Sequence, residues 1–110
     1  FPGSHPLFAG PLGYNGSKAG MELISEADVV LCLGTRLNPF STLPGYGMEY
    51  WPADAKIIQV DINPDRIGLT KKVSVGIIAD AAKAANGILD RLMSTELLLY
   101  YILHSRCHNI

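Results

Sequence analysis

Ala27-Asp28-Val29-Val30-Leu31-Cys32-Leu33-Gly34-Thr35-Arg36 is an unbroken apolar run that opens on an acid and closes on a glycine and an arginine. Successive side chains on a strand point to opposite faces, so a strand apolar at every position is expected to be covered on both, as in a parallel sheet. Ile57-Ile58-Gln59-Val60-Asp61-Ile62 and Val73-Ser74-Val75-Gly76-Ile77-Ile78 repeat this β-branched composition and predict two more strands. Upstream, Ser17 is placed as an N-cap before Ala19, Leu23, Ile24 and Ala27, spaced three and four apart, which predicts a helix over 17–27. Downstream, Asp80 can cap a second helix whose apolar positions are Ala82, Ala85, Ile88, Leu89 and Leu92. Helices alternating with buried strands give an α/β fold: a Rossmann-like parallel sheet with helices on both faces and right-handed crossovers.

Around these elements lie irregular stretches. Residues 1–16 carry Pro2, Pro6 and Pro11 among Gly3, Gly10, Gly13 and Gly16, which excludes a regular element. Thr35 to Ala55 holds Pro39, Pro44, Gly45, Gly47 and Pro52 without periodicity, and a connection of that length is expected to be functional or to contain a short helix. After Met93 the chain turns apolar on every side through Leu97–Leu103, so residues 94–110 stand apart as an atypical tail. The start at Phe1-Pro2-Gly3-Ser4 reads as the middle of a connection, hence as a fragment.

With 110 residues, 48% apolar and 17% charged, the chain suffices for one modest core. A formal charge of −1 with scattered basic residues supplies no electrostatic footprint for nucleic acid and no basic face for a membrane surface. No apolar stretch approaches the roughly 20 residues needed to span a bilayer. Cys32 and Cys107 are far apart, with Cys32 inside an apolar run as a small buried hydrophobe, which suits a reducing, cytoplasmic setting.

Candidate site residues cluster at strand ends, where open α/β sheets bind ligands. Gly34 and Arg36 follow the first strand directly, and Arg36 reads either as an anion ligand or as a surface arginine paired with a carboxylate. Asp61 ends the second strand, where an acid can accept hydrogen bonds from ribose hydroxyls; its alternative partner is the backbone of the Asn63-Pro64 turn. Asp80 is explained as a helix cap and is carried as a further candidate. The loop of Gly10, Gly13 and Gly16 runs into a helix start that could hold an anion, but the signal is weak and glycines that let the chain turn tightly and pack are the favoured explanation. His5 stands alone, and His104, Cys107 and His108 lie in the tail as a weak metal-ligand pattern.

The order His5-Pro6, Gly10-Pro11-Leu12-Gly13-Tyr14-Asn15-Gly16, Ala27 to Leu31 with Gly34-Thr35-Arg36, and Ile57 to Pro64 resembles the central domain of thiamine-diphosphate enzymes of the acetolactate synthase and pyruvate oxidase type. The resemblance covers about residues 1–92, making residues 1–93 a partial central domain, and the stretches Gly34–Gly47 and Ile67–Lys72 narrow it to an acyltransferase branch. It implies membership of a six-stranded parallel sheet whose first strand and helix are absent. It implies thiamine diphosphate and Mg²⁺ in the full-length enzyme, held by an upstream glutamate and by a downstream Gly-Asp-Gly to Asn-Asn segment, neither present in this sequence. Catalytic residues are therefore expected to be none here. The family's ligand positions in this domain match Arg36 and Asp61. Asn15 replaces a histidine, and Leu37-Asn38-Pro39-Phe40 replaces a charged aromatic run, which argues against FAD and leaves ADP or coenzyme A. Expected partners are the amino- and carboxy-terminal domains of the same enzyme, in a homodimer or homotetramer. A freestanding adenine-nucleotide or coenzyme-A module, or a sister carboligase, is the alternative.

Overall fold

The computed structural model describes the backbone of residues 2–106 and the side chains of residues 2–97. Ser17 starts α1 (Lys18–Ser25) as expected: its backbone is extended, and its hydroxyl accepts from the Gly20 N–H at 3.0 Å while donating to Ala9 O at 2.9 Å. One side chain thus satisfies an orphan amide of the first helical turn and ties the helix to the preceding loop. The three expected strands form as β1 (Val29–Leu33), β2 (Lys56–Asp61) and β3 (Val75–Ile78), in one parallel sheet of order β1-β2-β3. Asp80 Oδ1 accepts from the Lys83 N–H at 3.0 Å and opens α2 (Ala81–Arg106), which packs against β2.

Register fixes which side chains share a face. Leu31 pairs with Ile58, Leu33 with Val60 and Val60 with Ile77 on one side, and Cys32 pairs with Gln59 and Gln59 with Gly76 on the other. The second face holds the core, where Cys32, Ile57 and Leu37 are buried together and Val30, Trp51 and Val73 pack around them. Its cover is the long connection after β1, which delivers Leu37 and Trp51, and not a helix.

Two expectations need correction. First, β1 is not covered on both faces: Val29, Leu31 and Leu33 remain 51%, 43% and 41% exposed. They project opposite Cys32 from an edge strand whose one sheet neighbour is β2, and α2 lies over β2 instead. Second, the helices do not alternate strictly with the strands: among the described residues α1 precedes β1 and α2 follows β3. Each link carries a single 3-10 turn, Pro39–Ser41 after β1 and Pro64–Arg66 after β2. The cause is local: in both turns an asparagine side chain, Asn38 or Asn63, accepts from the amide two residues on, and the proline that follows supplies a fixed φ and no donor. The metal-ligand pattern of His104, Cys107 and His108 lies outside the described side chains.

Candidate functional site

The carboxyl ends of the strands bring most of the sequence candidates to one rim. Gly34 closes β1 at φ +64, and its N–H donates to Val60 O at 2.8 Å. A Cβ built there would stand 3.4 Å from the Ala81 Cβ, so the end of β1 meets the start of α2, one residue beyond Asp80. Arg36 is exposed and forms no ion pair among the described residues, where Lys18 pairs with Glu22 at 3.6 Å. The carboxylate-paired alternative for Arg36 is not seen among the described residues. Next to it, Leu37 takes a left-handed φ of +53, with its N–H donating to Thr35 Oγ1 at 3.1 Å and its side chain 6% exposed in the core. This turn sends Leu37 inward and leaves Arg36 outside.

Asp61 is 3% exposed, and its Oδ1 accepts from the Asn63 N–H at 2.8 Å. The turn partner anticipated from sequence is thus real, and it accounts for one carboxylate oxygen. Asp80 is exposed and serves as the α2 cap.

Gln59 is the residue that sequence reading passed over. It is 1% exposed in the middle of β2, and its amide is fully engaged: Nε2 donates to Thr35 O at 3.0 Å and to Arg66 O at 3.1 Å, while Oε1 accepts from the Gly68 N–H at 2.8 Å. An uncharged amide inside an otherwise apolar buried strand was the available signal, because such a group is retained only where it is satisfied. Arg66, likewise unremarked, is exposed on the same rim and unpaired by any carboxylate among the described residues.

The glycine loop behaves as a packing device. Gly13 sits at φ +93, where a Cβ would fall 2.5 Å from Ser41 Cα and 2.6 Å from Phe40 O. Around it the Tyr14 N–H donates to Phe40 O at 2.9 Å, Tyr46 Oη to Gly16 O at 3.2 Å and Tyr50 Oη to Ser41 O at 3.1 Å. Loop 10–17 and the connection 38–50 are therefore held against each other by the Tyr14 and Tyr46 bonds.

Two apolar grooves flank the helices, one lined by Ile77, Ala84, Ile88 and Leu92 and the other by Leu23, Ile24, Val29 and Leu31, and neither is lined by Arg36, Asp61 or Asp80. Among the described residues no three His, Cys, Asp or Glu side chains converge to hold a metal ion, and no helix is long and apolar enough to cross a membrane. This donor set does not fit a diphosphate chelated to Mg²⁺, since no carboxylate cluster is available to hold the ion.

Comparison with known proteins follows the same lines. Residues 1–88 match the family model described as thiamine pyrophosphate enzyme, central domain. The chain is 78% identical over 95 residues to the sulfoacetaldehyde acetyltransferase of Roseovarius nubinhibens, covering 86% of this chain and 16% of that protein. It is 78% identical over 92 residues to the enzyme of the same name from Rhodobacter capsulatus, covering 84% of this chain and again 16% of the relative. A probable acetolactate synthase large subunit of Methanocaldococcus jannaschii is 34% identical over 97 residues, 88% of this chain. The chain spans 16% of the length of these two acetyltransferases.

Proposed function

The chain belongs to the family of thiamine pyrophosphate enzyme central domains, and on that premise we propose that it is part of a longer enzyme converting sulfoacetaldehyde and phosphate to acetyl phosphate and sulfite. The observation that carries the proposal is the 78% identity to two sulfoacetaldehyde acetyltransferases, against 34% to an acetolactate synthase subunit. That gap within one family favours the acetyltransferase over a sister carboligase. Thiamine diphosphate with Mg²⁺ would supply the carbanion chemistry, and amino- and carboxy-terminal domains in a cytoplasmic homodimer or homotetramer would hold it. In this reading residues 1–93 are the partial central domain and residues 94–110 an added apolar tail.

The role of this chain's own residues is architectural. The three-stranded sheet sets the distance between neighbouring domains, and the rim of Gly34, Arg36, Asp61 and Asp80 offers a place for an adenine-nucleotide group such as ADP or coenzyme A. Exposed Arg36 without a carboxylate partner supports that second element. Two measurements test the proposal. The 110-residue chain, supplied with sulfoacetaldehyde, phosphate, thiamine diphosphate and Mg²⁺, is expected to form no acetyl phosphate, and turnover would refute the architectural role. Calorimetric titration with ADP, coenzyme A and FAD is expected to show binding of ADP or coenzyme A that Arg36→Ala removes. Binding untouched by that substitution would remove Arg36 from the site.

A further inference from the structure

We propose that the cavity walled by the connection 42–53 and by Lys71 is a binding site for a small zwitterion, an amine and a carboxylate joined by a short carbon stem, held between Glu49 and Lys71 beside the Trp51 ring. The site shares no residue with the strand-end rim, so it stands independently of the nucleotide reading.

The walls are set by the sequence of the connection. Tyr46 and Gly47 take left-handed φ values of +52 and +74, and Gly45 and Met48 exchange backbone hydrogen bonds at 3.2 and 3.0 Å around them. Two successive left-handed residues make a tight turn that sends the chain back on itself, and Glu49 leaves it directly after Met48. A tyrosine holds such a φ only where its surroundings enforce it. Here Tyr46 Oη donates to Gly16 O at 3.2 Å, and a Cβ on Gly45 would stand 3.0 Å from Sδ of buried Met21. Tyr50, 1% exposed, donates from its Oη to Ser41 O at 3.1 Å and ties the loop across its base. Trp51 then packs on the core of Cys32, Leu37 and Ile57.

The cavity so enclosed has a volume of about 330 Å³, with Thr42, Pro44, Glu49, Tyr50, Trp51 and Lys71 in its lining. Ligand pockets run from roughly 300 to 1,000 Å³, so the occupant is small. Lys71 Nζ lies over the Trp51 ring, 5.2 Å from its centroid, which holds the ammonium at that wall. Glu49 lines the same space, yet no ion pair joins it to Lys71 or to another cation among the described residues. Two opposite charges that share a cavity without meeting leave a gap that a ligand carrying both charges spans. A ligand with one charge would leave the other protein charge unpartnered as its water is displaced, which is costly. The polarity follows as well. The Trp51 face is taken by an ammonium, so the ligand's acid group belongs at Lys71 and its amine at Glu49. Thr42 Oγ1 donates to Pro39 O at 3.3 Å and keeps its lone pairs to accept from an amine.

The sequence holds a single tryptophan, so Trp51 emission reports on the site directly. The test titrates the full chain with β-alanine, 4-aminobutanoate and 6-aminohexanoate, and with propionate and propylamine as one-charge controls, by fluorescence and calorimetry. At least one of the three amino acids should change Trp51 emission saturably and bind about tenfold or more tighter than either control. Glu49→Gln, at an exposed position, and Lys71→Met should each weaken that binding about tenfold. Absence of saturable binding by all three amino acids, a control that binds as tightly, or unchanged affinity in either variant would overturn the proposal. Should Lys71→Met fail to fold, Glu49→Gln decides alone: weakened binding upholds the site and unchanged binding overturns it.

Discussion

Gly13 shows how closely two irregular loops can approach when one residue lacks a side chain. Its φ of +93 and the 2.5 Å that would separate a Cβ from Ser41 Cα leave no relief except movement of backbone. Gly13→Ala is expected to cost about 2 kcal/mol or more in urea unfolding; a change below about 0.5 kcal/mol would show that the loops separate freely. Cys32 supplies a second check, because burial pushes its thiol up and keeps it neutral. In a Cys107→Ser background it should react with a thiol reagent near neutral pH far more slowly than in the unfolded chain. Burial also raises the Tyr50 phenol, partly offset by a hydrogen bond from the Gly13 backbone. The folded state then holds the phenolic proton more tightly than the unfolded chain, so this stabilisation is full below the unfolded value of about 10 and is lost as pH rises through the folded one. Tyr50→Phe should flatten the fall in melting temperature at alkaline pH, and an equally steep fall would contradict that assignment. The strand-end positions of Arg36 and Asp61 and the cap at Asp80 were legible in sequence because strand ends and caps have positional signatures. Gln59 was not, since its meaning lies in carbonyls of two other loops that no local pattern announces.

The elements were easier to read than their surroundings. Ser17, Asp80 and the apolar runs gave helix starts and strand positions within about two residues, because capping and strand composition are local. Ser17→Ala is expected to cost about 1 kcal/mol, as it removes both the Gly20 cap and the tie to Ala9. What an element rests against is tertiary, and there the expectations failed. β1 has the composition of a strand covered on both faces, yet Val29, Leu31 and Leu33 face outward from an edge; the short helix allowed for the Thr35–Ala55 connection does form, as the turn Pro39–Ser41. An apolar edge strand with no charge in Val29–Leu33 is a template for pairing. Sedimentation should therefore show concentration-dependent association of the chain, weakened by Leu31→Lys. A monodisperse wild-type monomer would contradict it.

At the scale of the molecule, three parallel strands, a core built largely by the connection after β1, and a rim of strand-end residues describe a layer with outward-facing apolar surface. The α/β class was legible from the buried strand runs and the family from the order of its motifs. The chain spans 16% of the length of the Roseovarius nubinhibens acetyltransferase that it matches. The most direct test transplants residues 1–97 in place of the matching stretch of the Roseovarius nubinhibens sulfoacetaldehyde acetyltransferase and measures acetyl phosphate formation. A folded chimera that retains turnover is the expected result; a folded chimera of native assembly that forms no acetyl phosphate would contradict the account.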